Sequence, residues 1–153
     1  FRASLRDGRQ LIPLREELEI ARVYERMEQH RLGDRLQVDW QLGPLPEDTP
    51  VPGLVIQPLL ENAIYHGIEP MPQPGRIQVS GESVDGMVRI SVSNPLPPSA
   101  SAPRHGNRIA LDNIRERLEL AFGVRGVLSV IDSVPGMFTV TIEFPTGPQV
   151  LPA

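Results

Sequence analysis

The sequence predicts a two-layer α/β sandwich: a mixed, largely antiparallel sheet with its helices on one face. Three observations lead there. Two pairs of alternating segments are each joined across a turn, "RIQVSGES" to "MVRISVSN" around Val84-Asp85-Gly86 and "GVLSVIDS" to "MFTVTIEF" around Pro135-Gly136. Helical patterns stand between these hairpins instead of alternating one for one with strands, as a doubly wound parallel sheet would require. Finally, 153 residues at 40% hydrophobic content suit one domain with a substantial core.

The elements follow in order. "PLREELEIARVYERMEQHRLGDRL" places Ile20, Val23, Tyr24 and Met27 at i, i+3, i+4, i+7, which predicts one packed helical face, with Gly33 as the stop. "RLQVDWQL" alternates Leu36, Val38, Trp40 and Leu42, a short strand in which Trp40 reads as core packing. The Pro-rich "GPLPEDTPVPG" reads as a loop. The next helix has the stripe Ile56, Leu59, Leu60, Ala63, Ile64 and Gly67. Its second face carries Pro58, Asn62, Tyr65, His66 and Glu69. After the first hairpin, residues Pro95 to Asn107 read as a long loop without periodicity. "RIALDNIRERLELAFG" is a further amphipathic helix, packing Leu111, Ile114, Leu118 and Ala121.

Composition narrows the function. A net charge of −4 gives no basic surplus for direct nucleic-acid binding. All 15 basic residues are Arg, so lysine chemistry, including a P-loop, is excluded. With no Cys there is no disulfide and no thiolate metal site. No apolar run in this sequence is long enough to span a bilayer, and no segment of it reads as a signal peptide. The chain opens at Phe1 and moves at once into a charged helix, which reads as a piece of a longer protein.

Asn62 is the residue that asks for an explanation. Asn is disfavoured inside helices because its side chain competes for backbone hydrogen bonds. Here it sits mid-helix beside Glu61 and one turn before His66. That ridge faces away from the packed stripe, where it can line a cleft.

The segment "LVIQPLLENAIYHGI" resembles the N box of GHKL (Bergerat-fold) ATP-binding domains, in wording closest to sensor histidine kinases of the LytS type. "LDNIRERLELAFG" resembles the helix after the G box in that family. "LREELEIARVYERMEQHRLGDRL" resembles the helix that joins the phosphoacceptor helices to the ATP domain, and "SNPLPP" is similar to the AlgZ (FimS) branch. The resemblance covers nearly the whole chain in the family's order. It implies a catalytic domain that presents Mg-ATP to an upstream phosphoacceptor His, in a dimer partner, which then phosphorylates a response regulator with a LytTR DNA-binding domain. The parent would be an inner-membrane protein with this domain in the cytoplasm, attached through a preceding segment. Residues 1–33 would be the linker helix, 34–147 the ATP-binding domain and 148–153 a frayed tail.

By the same resemblance Asn62 ligates Mg²⁺ through its side-chain oxygen, and Glu61 and His66 assist at the phosphates or metal. The nucleotide-contact set extends over Asn62, His66, Asn94, Gly106, Asn107, Arg108, Leu111, Asn113 and Arg115. Arg115 and Arg117 otherwise read as a solvated face beside Glu116 and Glu119. The departures fall on the facing wall. Where the family has DxGxG, this chain reads "NPLPP", with Asn94 at the position of the adenine-binding Asp and Leu96 and Pro98 in place of glycines. Where it has GxGxGL, the chain reads "GNRIAL", keeping Gly106 but carrying Arg108 and Ala110. Such residues hinder close backbone approach to phosphates. They predict weakened ATP binding and leave a second reading open, a degenerate GHKL domain acting through protein contacts.

Overall fold

The computed structural model describes residues 10–96 and 105–146, with backbone only for 105–108. A five-stranded sheet has the order β2-β4-β5-β7-β6, and a two-stranded ribbon pairs β1 with β3. The strands are β1 (Leu11–Pro13), β2 (Leu36–Leu42), β3 (Pro50–Pro52), β4 (Gly75–Val84), β5 (Met87–Pro95), β6 (Val127–Ile131) and β7 (Met137–Pro145). The helices are α1 (Leu14–Leu32), α2 (Ile56–Gly67) and α3 (His105–Phe122).

Both hairpins form. In the β4–β5 turn Asp85 (φ 53°) and Gly86 (φ 78°) are left-handed, the geometry a two-residue hairpin needs to match strand twist. β6 pairs antiparallel with β7. Among the described strands only β2 runs parallel to its neighbour, pairing with β4 from Leu36↔Gly75 to Leu42↔Gly81. One sheet face buries Ile77, Val79, Ile90, Val92, Val140, Ile142 and Phe144 in a single core with the helices. The other face is polar: Ser91 pairs with Thr141 at 2.8 Å, Ser93 with Thr139 at 2.7 Å, and Arg89 with Glu143 at 2.8 Å.

Three expectations are corrected. In α1 the packed side is Leu14, Leu18, Ala21 and Leu32, while Val23 and Met27 are exposed. Two apolar stripes compete in this helix, and the buried one is interrupted by Glu17, which disguises it. The loop after β2 contains β3, whose partner β1 precedes α1. Each strand has three residues, too short to show a period; β1 ends on Pro13 and β3 is bounded by Pro50 and Pro52, and Pro favours such edges. The segment leading into β3 also serves α1, whose first N–H groups donate to Thr49 O (2.8 Å) and Glu47 O (3.0 Å). Finally, the residues read as a loop from Pro95 to Asn107 begin in strand, and from His105 they are already helical. The rest of that loop, and the frayed tail, lie outside the described residues.

Candidate functional site

α2 has no side-chain cap of its own, and both of its ends are held by residues distant in sequence. At its start, Glu17 of α1 accepts three backbone N–H groups: Leu54 at 2.8 Å, Val55 at 2.9 Å and Ile56 at 3.1 Å. At its end, one Arg35 nitrogen, Nη2, donates to the carbonyls of Ile68 (3.1 Å), Glu69 (3.1 Å) and Met71 (2.8 Å). An anion at the N-terminus and a cation at the C-terminus both complement the helix dipole. Pro58 lies in the first turn, where a missing N–H costs nothing. The stripe Ile56, Leu59, Leu60, Ala63 and Ile64 is buried as expected and fixes which side of α2 faces outward.

That outward ridge lines a pocket of about 380 Å³ with Pro58, Glu61, Asn62, Tyr65, His66 and Glu69, closed by Tyr24 of α1 and Ala110 of α3. The volume falls in the range of roughly 300–1,000 Å³ common for small-molecule sites. Asn62 is 7% exposed. Among the described residues its amide has no hydrogen-bond partner. Among the described residues the fully buried side-chain atoms without a partner are Gln10 Oε1 and Arg35 Nε; the Asn62 amide is not one of them and keeps an opening on the pocket, where a ligand oxygen or cation can complete its contacts. Glu61 takes a 3.4 Å contact from Gln57. His66 meets the Tyr65 ring edge to face, with centroids 4.8 Å apart. Glu69 pairs with Arg31 at 2.7 Å. The Tyr24 phenol is pushed up to about 12, first by burial and then by the charges of Glu28 and Glu61.

The site-residue expectations divide. Glu61, Asn62 and His66 line one pocket. Asn94, 1% exposed, does not line it; its Nδ2 donates to Pro95 O at 2.8 Å. It lies behind the end of α2, where a Cβ on Gly67 would stand 2.6 Å from Asn94 Cβ. Leu111 is in the core and Asn113 is exposed. Arg115 pairs with Asp112 at 2.9 Å and reaches Leu128 O at 3.4 Å. Gly106, Asn107 and Arg108 lie on the opening of α3, with side chains outside the described residues. Arg117 departs from the solvated face expected of it and donates to Gly53 O and to Leu54 O (2.9 Å for the latter). Tyr24, Glu17, Arg35 and Arg117 were not legible as site-building residues. Tyr24 sat in a stripe read as core, and the partners of the other three are backbone atoms, which have no sequence signature.

The donor set fits Mg²⁺. Among the described residues no group of three or more His, Cys, Asp or Glu is placed to cage a metal. The pocket instead offers isolated oxygens, from Asn62 and Glu61. Mg²⁺ is commonly held by one or two protein oxygens together with waters and substrate phosphates.

A mixed five-stranded sheet under three helices is the fold of histidine kinase catalytic domains. The nucleotide-free catalytic domain of histidine kinase ThkA matches with a TM-score of 0.67 at 20% identity, over 91% of this chain and 96% of that one. Full-length ShkA in complex with AMPPNP matches with a TM-score of 0.63 at 16% identity, over 94% of this chain and 32% of that one. No protein-family model matches the chain. Sensor histidine kinase YesM of Bacillus subtilis (strain 168) is 31% identical over 126 residues, 80% of this chain and 22% of that protein. YpdA of Escherichia coli (strain K12) is 33% identical over 131 residues, 80% and 23%. Sensor protein LytS of Bacillus anthracis is 31% identical over 158 residues, 95% and 27%. The chain belongs to the LytS/YesM/YpdA/BtsS family of sensor histidine kinases and corresponds to its catalytic domain. It spans about a quarter of the length of the relatives it matches.

Proposed function

We propose that this domain binds Mg-ATP in the α2 pocket and presents the γ-phosphoryl group to a phosphoacceptor His supplied by a preceding segment or a dimer partner. The observation that carries the reading is Asn62, 7% exposed and without a hydrogen-bond partner among the described residues, lining a pocket that also offers a carboxylate and an imidazole. Asn62 would supply an oxygen to the metal. Glu61 would orient a metal-bound water, and His66 would contact a phosphate oxygen. The described lining is acidic, with Glu61 and Glu69 and no Arg. A bare triphosphate would be repelled there, so a bridging cation is part of the reading. Catalysis would then be positioning and charge neutralisation, with no covalent role for this domain.

The downstream partner in this reading is a response regulator, of the LytTR type by family resemblance. A structural neighbour, ThkA, is known in complex with the response regulator TrrA. Among the described residues no helix is long and apolar enough to cross a membrane; by family resemblance, attachment to a membrane would come from a preceding segment. A second reading, a regulatory module with weak nucleotide binding, is favoured by one observation: Asn94 is sealed behind Gly67, with its amide hydrogen used on Pro95 O.

Calorimetric titration of the chain with a non-hydrolysable ATP analogue and Mg²⁺ separates the two. Micromolar binding that Asn62→Ala strips of its Mg²⁺ dependence supports the kinase reading. No binding at millimolar nucleotide overturns it in favour of the module.

A further inference from the structure

The turn that leads into α2 is held from two sides, and neither holder touches the pocket. Leu54 is left-handed at φ 61°, one of two such non-glycine residues among those described. That conformation is strained for a branched side chain and persists only where its surroundings impose it. The surroundings are ionic. Glu17 of α1, 1% exposed, takes the N–H groups of residues 54, 55 and 56 at 2.8–3.1 Å. From the opposite side Arg117 of α3 donates to the carbonyls of Gly53 and Leu54. A buried carboxylate is tolerated when its oxygens are fully hydrogen-bonded, and here backbone N–H groups do this. One turn of backbone is thus clasped between an anion from α1 and a cation from α3. The pocket is built from the same three helices: Tyr24 from α1, Glu61, Asn62 and His66 from α2, and Ala110 from α3.

We propose that Glu17 and Arg117 are positioning residues of the α2 pocket: their clasp on residues 53–56 sets the axial position and rotation of α2 relative to α3, and so places Asn62. α2 has no side-chain cap of its own; its buried stripe decides which side faces outward, and the clasp supplies the polar contacts that fix the finer setting of the helix at its N-terminus. Sliding a helix by one residue moves every side chain about 1.5 Å along and 100° around its axis, enough to take Asn62 out of the pocket. Arg117 couples this register to α3, two turns beyond the residue that α3 contributes to the wall.

The inference rests on the pocket being a Mg-nucleotide site, and the test keeps the two apart. Arg117→Gln, Arg117→Lys and Glu17→Gln are compared with the unaltered chain in two measurements. The first is the affinity of a non-hydrolysable ATP analogue with and without Mg²⁺, measured well below each variant's melting temperature. Arg117→Gln and Glu17→Gln are expected to lose the Mg²⁺ enhancement at least tenfold while the metal-free affinity stays within about twofold. Arg117→Lys, which can still donate to both carbonyls, is expected to restore most of it. The second measurement needs no nucleotide: ¹⁵N-resolved spectra of the free protein, in which Arg117→Gln should shift the side-chain amide of Asn62, more than 50 residues away in sequence. A lowered melting temperature with unchanged Mg²⁺ enhancement and unmoved Asn62 resonances would mean that the clasp is only structural, and would overturn the proposal. If the unaltered chain binds no nucleotide, the site reading fails, and the Asn62 resonance alone decides whether the clasp positions that residue. Should Glu17→Gln fail to fold, the Arg117 pair carries the test.

Discussion

Asn62 carries a stability signature that opposes its functional one. Its amide has no partner among the described residues, so removing it breaks no hydrogen bond there, and Ala is the better helix former. Asn62→Ala is therefore expected to leave unfolding free energy within about 1 kcal/mol of the unaltered chain, or to raise it, in urea titrations. A loss of more than that would reveal a structural role. Tyr24 provides a spectroscopic handle on the same pocket. The folded chain holds its proton more tightly than the unfolded chain, since burial and the nearby carboxylates disfavour the phenolate. Its contribution to stability is complete below pH 10 and is lost as pH rises toward about 12. The chain has two tyrosines. Absorbance of phenolate near 295 nm should show a late step close to pH 12, which Tyr24→Phe removes; persistence of that step would refute the assignment.

At the level of elements, the junction between α2 and β5 decides how closely the site helix can approach the sheet. A Cβ on Gly67 would lie 2.6 Å from Asn94 Cβ and 2.9 Å from Pro95 O. Ala is favoured over Gly in a helix by about 1 kcal/mol, but overpacking costs about 1–3 kcal/mol. The second effect is expected to win, because one of the obstructing atoms is backbone. Gly67→Ala should lower the denaturant midpoint and perturb Asn94. A stabilised variant would show that the two elements have room to separate. Glycine here serves close approach and not a left-handed turn, since among described glycines with positive φ are Gly33, Gly86, Gly123 and Gly136, but not Gly67.

For the whole molecule, the sheet has one face that makes the fold and one that does little for it. Phe144 is fully buried and stacks on Phe122 with centroids 5.8 Å apart. Arg89, on the opposite face, bridges Glu143 and Glu82 with half of its side chain exposed. Phe144→Ala is expected to cost about 3–5 kcal/mol, and Arg89→Gln less than about 1 kcal/mol, with that small effect shrinking further in 1 M salt. Chemical denaturation of both variants checks the contrast; comparable losses would mean that the polar face is structural too.

The sequence by itself determined the local elements and the residues of the ridge. Period-two alternation with Asp85-Gly86 dictated the first hairpin, and period-3.6 spacing separated the buried stripe of α2 from Asn62 and His66. Both are nearest-neighbour facts, encoded within a few residues of backbone. α1 shows where that logic stops. Its two apolar stripes are equivalent by spacing, and only docking against α2 and the sheet buried Leu18 and exposed Met27. Tertiary structure likewise decided the β1–β3 ribbon, the parallel β2–β4 pair, and the roles of Glu17, Arg35 and Arg117. Their partners are N–H and C=O groups more than thirty residues away, groups that every residue type but proline presents alike, so no pattern of side chains could announce them.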